Sequence, residues 1–128
     1  MTQARAVLDA ACDEKTFMQS VIDLARLNSW RVFHPFDSRR SAAGWPDLAL
    51  ARLCPSDRGM TTELIFLECK TERGHLTEAQ RDWLFILGAV PGVTARVVRP
   101  SDWDAVVELL TDRRVQSEQR GRRRAGRE

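Results

Sequence analysis

The sequence predicts an α/β fold in which a mixed central β-sheet is flanked by helices. The first observation is the continuous apolar run Leu64–Leu67, which is typical of a central strand covered on both faces. The second is the helical spacing of apolar residues in segments on both sides of that run. Together with three further strand-like segments, these patterns give the order α-β-β-β-α-β-α.

The first half of the chain predicts one helix and two strands. The helix covers Asp13–Leu27, because its first residue can cap it and its apolar residues recur at helical spacing. Bulky and polar residues alternate over Trp30–Phe36, which predicts a strand. A polar loop covers Asp37–Ala43, and the residues that follow must be extended because proline excludes helix from the residue before it. A short second strand then covers Asp47–Arg52.

The second half predicts two strands and two helices. Proline, aspartate and glycine predict a turn over Cys54–Met60, and the third strand covers Thr61–Lys70. The second helix is capped by Thr77 within a Thr-x-x-Gln capping box and ends at Gly88; Trp83, Leu84 and Leu87 supply its buried stripe. The fourth strand covers Thr94–Val98, and Ser101 caps a final helix that reaches Leu110.

The length and charge distribution predict one domain with two extensions. The chain has 128 residues and a mass of 14.6 kDa, which suits a single domain over residues 13–110, with residues 1–12 as an N-terminal extension. Residues 111–128 hold seven arginines and three acids, so they carry +4 of a total net charge of +2. Such a tail is either a disordered, solvated end or a segment that binds nucleic-acid phosphates.

Composition excludes several classes of protein. No apolar stretch approaches the roughly 20 residues that span a bilayer, and no signal-peptide pattern follows the N-terminus. The three cysteines are odd in number and irregularly spaced, so they predict neither a disulfide framework nor a zinc site. We therefore expect a cytoplasmic protein in a reducing compartment, without a membrane partner.

Two carboxylates and a rare lysine form the strongest chemical pattern. Asp47 opens the second predicted strand, while Glu68 and Lys70 share one face near the end of the third. Mg²⁺ prefers carboxylate oxygens and water, and the backbone carbonyl of Cys69 could add one more oxygen. A metal there would activate water against a phosphodiester, with Lys70 beside the water and the phosphate. The alternative is a surface ion pair between Glu68 and Lys70 on an edge strand.

Three motifs taken together resemble one known family. They are Gly44-Trp-Pro-Asp47, Phe66-Leu-Glu68-Cys-Lys70 and the segment from Gly74 to Trp83, Gly-His-Leu-Thr-Glu-Ala-Gln-Arg-Asp-Trp. This set resembles the VRR-NUC domain, the virus-type replication-repair branch of the PD-(D/E)xK nucleases. The resemblance extends from Glu14 to about Leu110, and the segment 95–103 is also similar to stand-alone phage and bacterial members.

The resemblance implies a restriction-endonuclease-like core and Mg²⁺- or Mn²⁺-dependent hydrolysis of DNA. Asp47 and Glu68 match the metal ligands of the family, and Lys70 matches its catalytic lysine. Glu14 matches the glutamate of helix one, which would serve a second metal or a water-mediated contact, and Gln80 matches the glutamine of helix two. Stand-alone members of the family are often dimeric, so we also expect a homodimer.

Several of these residues also have a purely structural explanation. Glu14 at a helix N-terminus interacts favourably with the helix dipole. Gln80 can complete the capping box, and it can do so while its helix faces the site. His34 is either structural or a DNA contact. His75 departs from the basic residue that the family resemblance implies after Gly74, and it is retained as a candidate DNA contact.

DNA recognition is expected to depend on the shape of the DNA. The predicted loop before Asp47 carries Ser38, Arg39 and Arg40, which could hold the DNA backbone, unless they are simply solvated. No base-reading module is recognisable, which favours branched, flapped or Holliday-junction-like DNA in replication, repair or recombination. Two alternatives are a non-catalytic nucleic-acid-binding module of the same fold and an α/β interaction domain with an accidental motif.

Overall fold

A computed structural model of the protein describes residues 12–35 and 42–112. These residues form three α-helices, four β-strands and a short 3₁₀ helix over Pro100–Asp102. The elements in chain order are α1 Glu14–Leu27, β1 Arg31–Phe33, β2 Leu48–Ser56, β3 Gly59–Cys69, α2 Glu78–Gly88, β4 Val93–Val98 and α3 Trp103–Thr111.

The four strands form one mixed sheet in the order β1-β2-β3-β4. β1, β2 and β3 pair antiparallel, whereas β3 and β4 pair parallel across the connection that contains α2. A parallel pair needs such a crossover, and a helix usually supplies it. The predicted mixed sheet with flanking helices is therefore confirmed. The order of elements differs from the prediction by the 3₁₀ helix before α3.

The main hydrophobic core lies between the sheet and the helices α1 and α3. The Asp13 side chain caps α1 by accepting a 2.6 Å hydrogen bond from the Thr16 amide. The buried face of α1 then packs against alternate residues of β2 and β3 and against the apolar face of α3. The buried side chains of this core are Phe17, Val21, Ile22, Ala25, Trp30, Leu48, Leu50, Ile65, Leu67, Cys69, Val98, Val106, Leu109 and Leu110.

Two predicted segments of the sheet are corrected by the structure. β1 contains only Arg31–Phe33, because Trp30 before it is buried in the core and donates its indole N–H to the Leu110 carbonyl at 2.8 Å. The predicted turn over Cys54–Met60 is shorter in the structure, where it covers only Asp57 and Arg58. β2 and β3 continue through the rest of the predicted segment as a hairpin in which Ser56 pairs with Gly59. Pro55 is tolerated there because β1 does not extend far enough to pair with it.

The prediction that Ser101 caps the last helix is wrong. Ser101 lies in the 3₁₀ helix, and α3 begins two residues later at Trp103. The Ser101 amide and hydroxyl both donate to the carboxylate of Glu72, so the serine binds the segment after β3 instead of the helix.

Across residues 12–35 and 42–112, no helix is long and apolar enough to cross a membrane.

The helix α2 covers the other face of the sheet only thinly. Its predicted buried stripe of Trp83, Leu84 and Leu87 is not fully buried, and neither is any other residue of α2. Phe85 and Ile86 on its outer face are 79% and 59% exposed. The sheet is therefore packed tightly on its α1 and α3 side and more openly on its α2 side.

Candidate active site

The strand register brings the carboxylates of Asp47 and Glu68 to one end of the sheet. Leu48 pairs with Leu67, so the residues just outside that pair also lie side by side. The Asp47 amide donates to Glu68 Oε2 at 3.2 Å, and the Cys69 amide donates to Asp47 Oδ2 at 2.9 Å. Each carboxylate is thus held by the backbone of the neighbouring strand.

Side-chain alternation along β3 separates the site from the core. Leu67 and Cys69 point into the core, whereas Glu68 between them points to the α2 face. Glu68 is nonetheless only 2% exposed, because α2 and the segment before Asp47 cover it. Burial raises the pKa of the Cys69 thiol, and the nearby acids raise it further. The predicted contribution of the Cys69 carbonyl to a metal stays a prediction.

Lys70 lies beside the carboxylate pair at the end of β3. Its Nζ is 4.0 Å from Glu68 Oε1, and its side chain is 14% exposed while that of Glu68 is 2% exposed. This pair is therefore not a surface ion pair on an edge strand. Glu68 lies on the third strand of four, where neighbours on both sides remove it from solvent.

Gln80 combines the two roles that the sequence had left open. Its Oε1 accepts from the Thr77 amide at 2.9 Å, and its own backbone amide donates to Thr77 Oγ1 at 3.1 Å, which completes the capping box of α2. Its Nε2 donates to Glu68 Oε1 at 2.9 Å. One side chain therefore closes the helix terminus and binds the buried carboxylate.

The carboxylate pair opens into a cleft of about 250 Å³. The polar side chains on its walls come from α1, from the end of β1, from the two central strands and from α2. These side chains are Glu14, His34, Asp47, Glu68 and Gln80. A single cleft therefore gathers the predicted glutamate of helix one, both predicted metal ligands and the predicted glutamine.

His34 is a cleft residue that sequence reasoning had not placed in the catalytic set. Its Nδ1 lies 2.9 Å from the Asp47 carbonyl, and because a carbonyl can only accept, Nδ1 carries the proton in this contact. The imidazole is thereby held at the wall of the cleft. The only signal in the sequence was its position near the end of a strand, and that position is equally compatible with a structural role.

The segment over residues 42–46 forms one wall of the cleft and packs directly on α2. Gly44 has a φ of +83°, and a Cβ there would lie 2.4 Å from the backbone carbon of Ala79. Trp45 packs edge-on against Trp83 and Phe66, with ring centroids 4.9 Å and 5.6 Å away. Trp83 also donates its indole N–H to the Ala43 carbonyl at 3.1 Å. Glycine adopts this φ without strain, and its lack of a Cβ permits the close approach.

The electrostatics of the site favour binding of a cation. The pKa of Glu68 is raised to about 8, chiefly because burial penalises the charged carboxylate and also because Asp47 repels it; Lys70 offsets only part of this rise. A hard divalent cation would relieve the repulsion, and carboxylate oxygens are the ligands that it prefers. The two carboxylates therefore fit Mg²⁺ or Mn²⁺ in charge and chemistry.

The remaining ligands of such an ion would have to come from other sources. Within residues 12–35 and 42–112, no three His, Cys, Asp or Glu side chains converge closely enough to hold a metal. Mg²⁺ commonly takes one or two carboxylates and completes its shell with water and substrate phosphate. The pair Asp47 and Glu68 corresponds to that pattern. Glu14 lines the same cleft, and its predicted role at a second metal or through water stays a prediction.

The predicted DNA contacts lie outside the cleft or outside the described residues. His75 is exposed in the segment between β3 and α2 and does not line the cleft. Ser38, Arg39 and Arg40, and the tail after Asp112, belong to the part of the chain that the structure does not describe. Their predicted contacts with phosphate stay predictions.

Comparison of the chain with protein-family models, with curated proteins and with solved structures found no match. The fold and the site define a mixed α/β protein in which a buried glutamate, Glu68, lies beside Asp47 and Lys70 at one end of the sheet.

Proposed function

We propose that the protein is a Mg²⁺- or Mn²⁺-dependent DNA endonuclease with a restriction-endonuclease-like core of the VRR-NUC type. The observation that carries the proposal is the arrangement of Glu68, which is buried, bonded to the Asp47 amide at 3.2 Å and lies 4.0 Å from Lys70 Nζ. Burial of one acid next to a second acid that repels its charge lowers the stability of the folded protein. Acids whose pKa is shifted by burial and by a neighbouring charge are typical of functional sites.

Asp47 and Glu68 would hold the metal ion at the end of the sheet. When bound, the ion supplies Lewis-acid stabilisation of the phosphate and a lowered pKa for water. Gln80 keeps Glu68 oriented through its 2.9 Å hydrogen bond, and Lys70 contacts the phosphate and orients the attacking water. In the reaction, the attacking water gives up a proton to solvent as its oxygen forms a bond to phosphorus, the bond from phosphorus to the leaving oxygen breaks, and the leaving oxygen takes up a proton from solvent.

Branched, flapped or Holliday-junction-like DNA is the substrate class that we propose. The sequence carries no base-reading module, so selection would depend on the shape and backbone of the DNA. Such a role belongs to replication, repair or recombination in the cytoplasm of a bacterial or phage-infected cell.

A homodimer would place one site on each strand of a junction. The exposed Phe85 and Ile86 of α2 provide apolar surface that a second copy could cover. Sedimentation equilibrium of the wild type and of a variant with Phe85→Ser and Ile86→Ser tests this. A wild-type dimer that becomes a monomer in the variant supports the interface, and a monomeric wild type contradicts the dimer.

The decisive experiment is cleavage of branched and linear DNA in the presence of Mg²⁺, Mn²⁺ or EDTA. We expect the wild type to cut only with metal, and Asp47→Ala or Glu68→Ala to abolish cleavage while retaining DNA binding. Lys70→Arg should also be severely impaired, because a planar guanidinium cannot replace a compact ammonium. Glu108→Gln, on α3 and away from the cleft, is the matched control and should cut normally.

DNA binding without cleavage under every metal condition would favour the non-catalytic binding module instead. Absence of both binding and cleavage would favour an α/β interaction domain. An active Lys70→Arg enzyme would remove Lys70 from the mechanism.

A further inference from the structure

The chain makes a fixed turn directly after Lys70. In this turn, over residues 71–74, the Gly74 amide donates to the Thr71 carbonyl at 3.2 Å. Lys70 itself still belongs to the sheet at its backbone, since its amide donates to the Val98 carbonyl at 3.0 Å. The backbone on both sides of the lysine is thus held, although residues 71–74 form neither helix nor strand.

Arg99 binds both ends of the 71–74 turn. Its Nη1 donates to the Thr71 carbonyl at 2.5 Å and to the Gly74 carbonyl at 2.7 Å. The backbone of Arg99 is itself fixed, because its amide donates to Asp102 Oδ2 and its carbonyl accepts from the Asp102 amide, each at 2.8 Å. A guanidinium in this position joins the turn to the segment after β4.

A second contact attaches the same turn to the same segment. The Glu72 carboxylate accepts from the Ser101 amide and, at 3.0 Å, from the Ser101 hydroxyl. Arg99 and Ser101 lie on either side of Pro100, so both attachments come from one short stretch of chain. The turn is therefore bound to a segment that the sequence had assigned only to the start of the last helix.

The 71–74 turn packs against the side chain of Lys70. A Cβ on Gly74 would lie 3.4 Å from Lys70 Cδ and 3.1 Å from Thr71 Oγ1, so the side of Gly74 that lacks a side chain faces the aliphatic part of the lysine. Lysine has a flexible four-carbon stem, and packing along that stem is what restricts its rotamers. The turn on one side and Glu68 on the other thus bound the Lys70 side chain.

The geometry points to Arg99 as a positioning residue that holds the 71–74 turn against Lys70 and so directs Nζ toward the carboxylate pair. The relevance of this role to catalysis rests on the proposed nuclease function. Gly74 also contributes to the position of Lys70, because any side chain at residue 74 would occupy the space beside Lys70 Cδ.

The lysine content of the chain provides a readout that does not depend on activity. Lys15 and Lys70 are the two lysines in the sequence, so lysine labelled with ¹³C at Cε gives two side-chain signals. Lys15→Arg assigns them, because Lys15 is exposed on α1. We expect distinct shifts for the two Hε protons of Lys70 in the wild type. In Arg99→Met these shifts should move toward the values of the exposed Lys15. In Gly74→Ala they should move away from their wild-type values, because the added methyl would lie 3.4 Å from Lys70 Cδ.

Gly88→Ala is the matched control, because its Cβ would meet Ala95 at an ordinary 3.7 Å and should leave the Lys70 signal unchanged. Lys70 signals that stay at wild-type positions in folded Arg99→Met and Gly74→Ala would overturn the inference. If Arg99→Met does not fold, Gly74→Ala decides, since it retains every hydrogen bond of Arg99.

The same variants connect the inference to the proposed reaction. Arg99→Met should lower the single-turnover cleavage rate by about 10- to 100-fold, because small misplacements of a catalytic group have effects of that size. DNA affinity measured in EDTA should be unchanged. A wild type that fails to cut DNA would reject the nuclease function, while the Lys70 signals would still test the positioning role.

Discussion

Gln80 Nε2 donates to Glu68 Oε1 at 2.9 Å while the same amide group closes the N-terminal cap of α2. The start of this helix is therefore fixed relative to the carboxylate pair by one side chain. Glutamine suits both tasks, because its amide offers an acceptor to the helix and a donor to the carboxylate. The residue that completes the capping box is therefore also the residue that binds the buried carboxylate.

The two tasks of Gln80 can be separated by substitution. Gln80→Glu should preserve the cap, since glutamate also completes a capping box, but should lose the donor to Glu68 and place a carboxylate against it. We expect thermal stability near that of the wild type at neutral pH and a cleavage rate reduced by about tenfold or more. Circular dichroism melting and single-turnover cleavage measure the two effects.

Thr77→Ala is expected to weaken the cap of α2 while it leaves the contact between Gln80 and Glu68 intact. It removes the hydroxyl that accepts from the Gln80 backbone amide, which should destabilise the fold by about 1 kcal/mol, and it leaves the bond from Gln80 to Glu68 in place. Cleavage at saturating metal should remain close to wild type. Equal loss of activity in Thr77→Ala and Gln80→Glu would mean that the cap alone matters.

The raised pKa of Glu68 predicts how stability depends on pH without metal. The folded protein keeps a proton on this carboxyl up to about pH 8, whereas the unfolded chain loses it near the ordinary glutamate value of 4.5. Between these values the folded state binds more protons, so stability should fall as the pH rises from about 4.5 to about 8. Glu68→Gln should remove this contribution, as thermal melts across that range in EDTA would reveal.

Addition of Mg²⁺ extends the same test. An ion that requires the deprotonated carboxylate competes with the proton, so stabilisation by Mg²⁺ should increase from about pH 5 to about pH 8 in the wild type. Glu108→Gln should behave like the wild type in these melts. In EDTA, a wild-type melting temperature that depends on pH in the same way as that of Glu68→Gln would contradict the raised pKa of Glu68.

Gly44 is expected to be the least replaceable glycine in the described part of the chain. It has a φ of +83°, and a Cβ added to it would lie only 2.4 Å from the backbone of Ala79, so Gly44→Ala introduces both strain and a clash with α2. Gly59→Ala is the control, because Gly59 also has a positive φ, +105°, but faces open space. The control should lose about 1–2 kcal/mol in the free energy of unfolding, and Gly44→Ala clearly more, in urea titrations.

Equal losses of stability at the two positions would mean that the segment over residues 42–46 can move away from α2. In that case the wall of the cleft would not depend on the contact between Gly44 and Ala79. Cleavage rates of the surviving folded fraction would then show whether the position of Asp47 depends on this wall.

The main lines of the fold could be predicted because they depend on local patterns. Helical spacing and an aspartate cap located α1, and the apolar run before Glu68 located the central strand. The turn over residues 54–60 was predicted too long because Pro55, Asp57 and Gly59 are all turn residues, whereas β2 and β3 stay paired up to Ser56 and Gly59. Local signals do not reveal how far two strands continue to pair.

Some residues of the candidate site could likewise be predicted from the sequence, whereas other contacts could not. Asp47, Glu68 and Lys70 could be found because strand ends and side-chain alternation are readable in sequence. The contact of Arg99 with the 71–74 turn could not, since it joins residues 25 and 28 positions apart through backbone carbonyls, which leave no mark on residue type. The contact of His34 with the Asp47 carbonyl was unreadable for the same reason.

The end of α3 decides where the chain can be truncated without loss of stability. Arg52 is buried and donates to the carbonyls of Leu110 and Asp112, at 3.0 Å and 2.7 Å, so the end of α3 is held by contacts that reach Asp112. A chain truncated after Asp112 keeps these contacts and should retain nearly all of its stability in thermal melts. Truncation before Leu110 would remove both acceptors, leave Arg52 and Glu63 as an incompletely bonded buried pair, and should destabilise the fold strongly.

Truncation after Asp112 should instead act on DNA binding. If the seven arginines of residues 111–128 neutralise phosphates, their loss weakens affinity and flattens its dependence on salt, by about 0.9 in the log–log slope for each lost contact on duplex DNA. Turnover at saturating DNA should stay near that of the full chain, because the carboxylate pair and Lys70 are untouched. Fluorescence anisotropy at several salt concentrations measures the slope. Equal slopes for the full and truncated chains would show that the tail does not bind DNA and would leave solubilisation as its role.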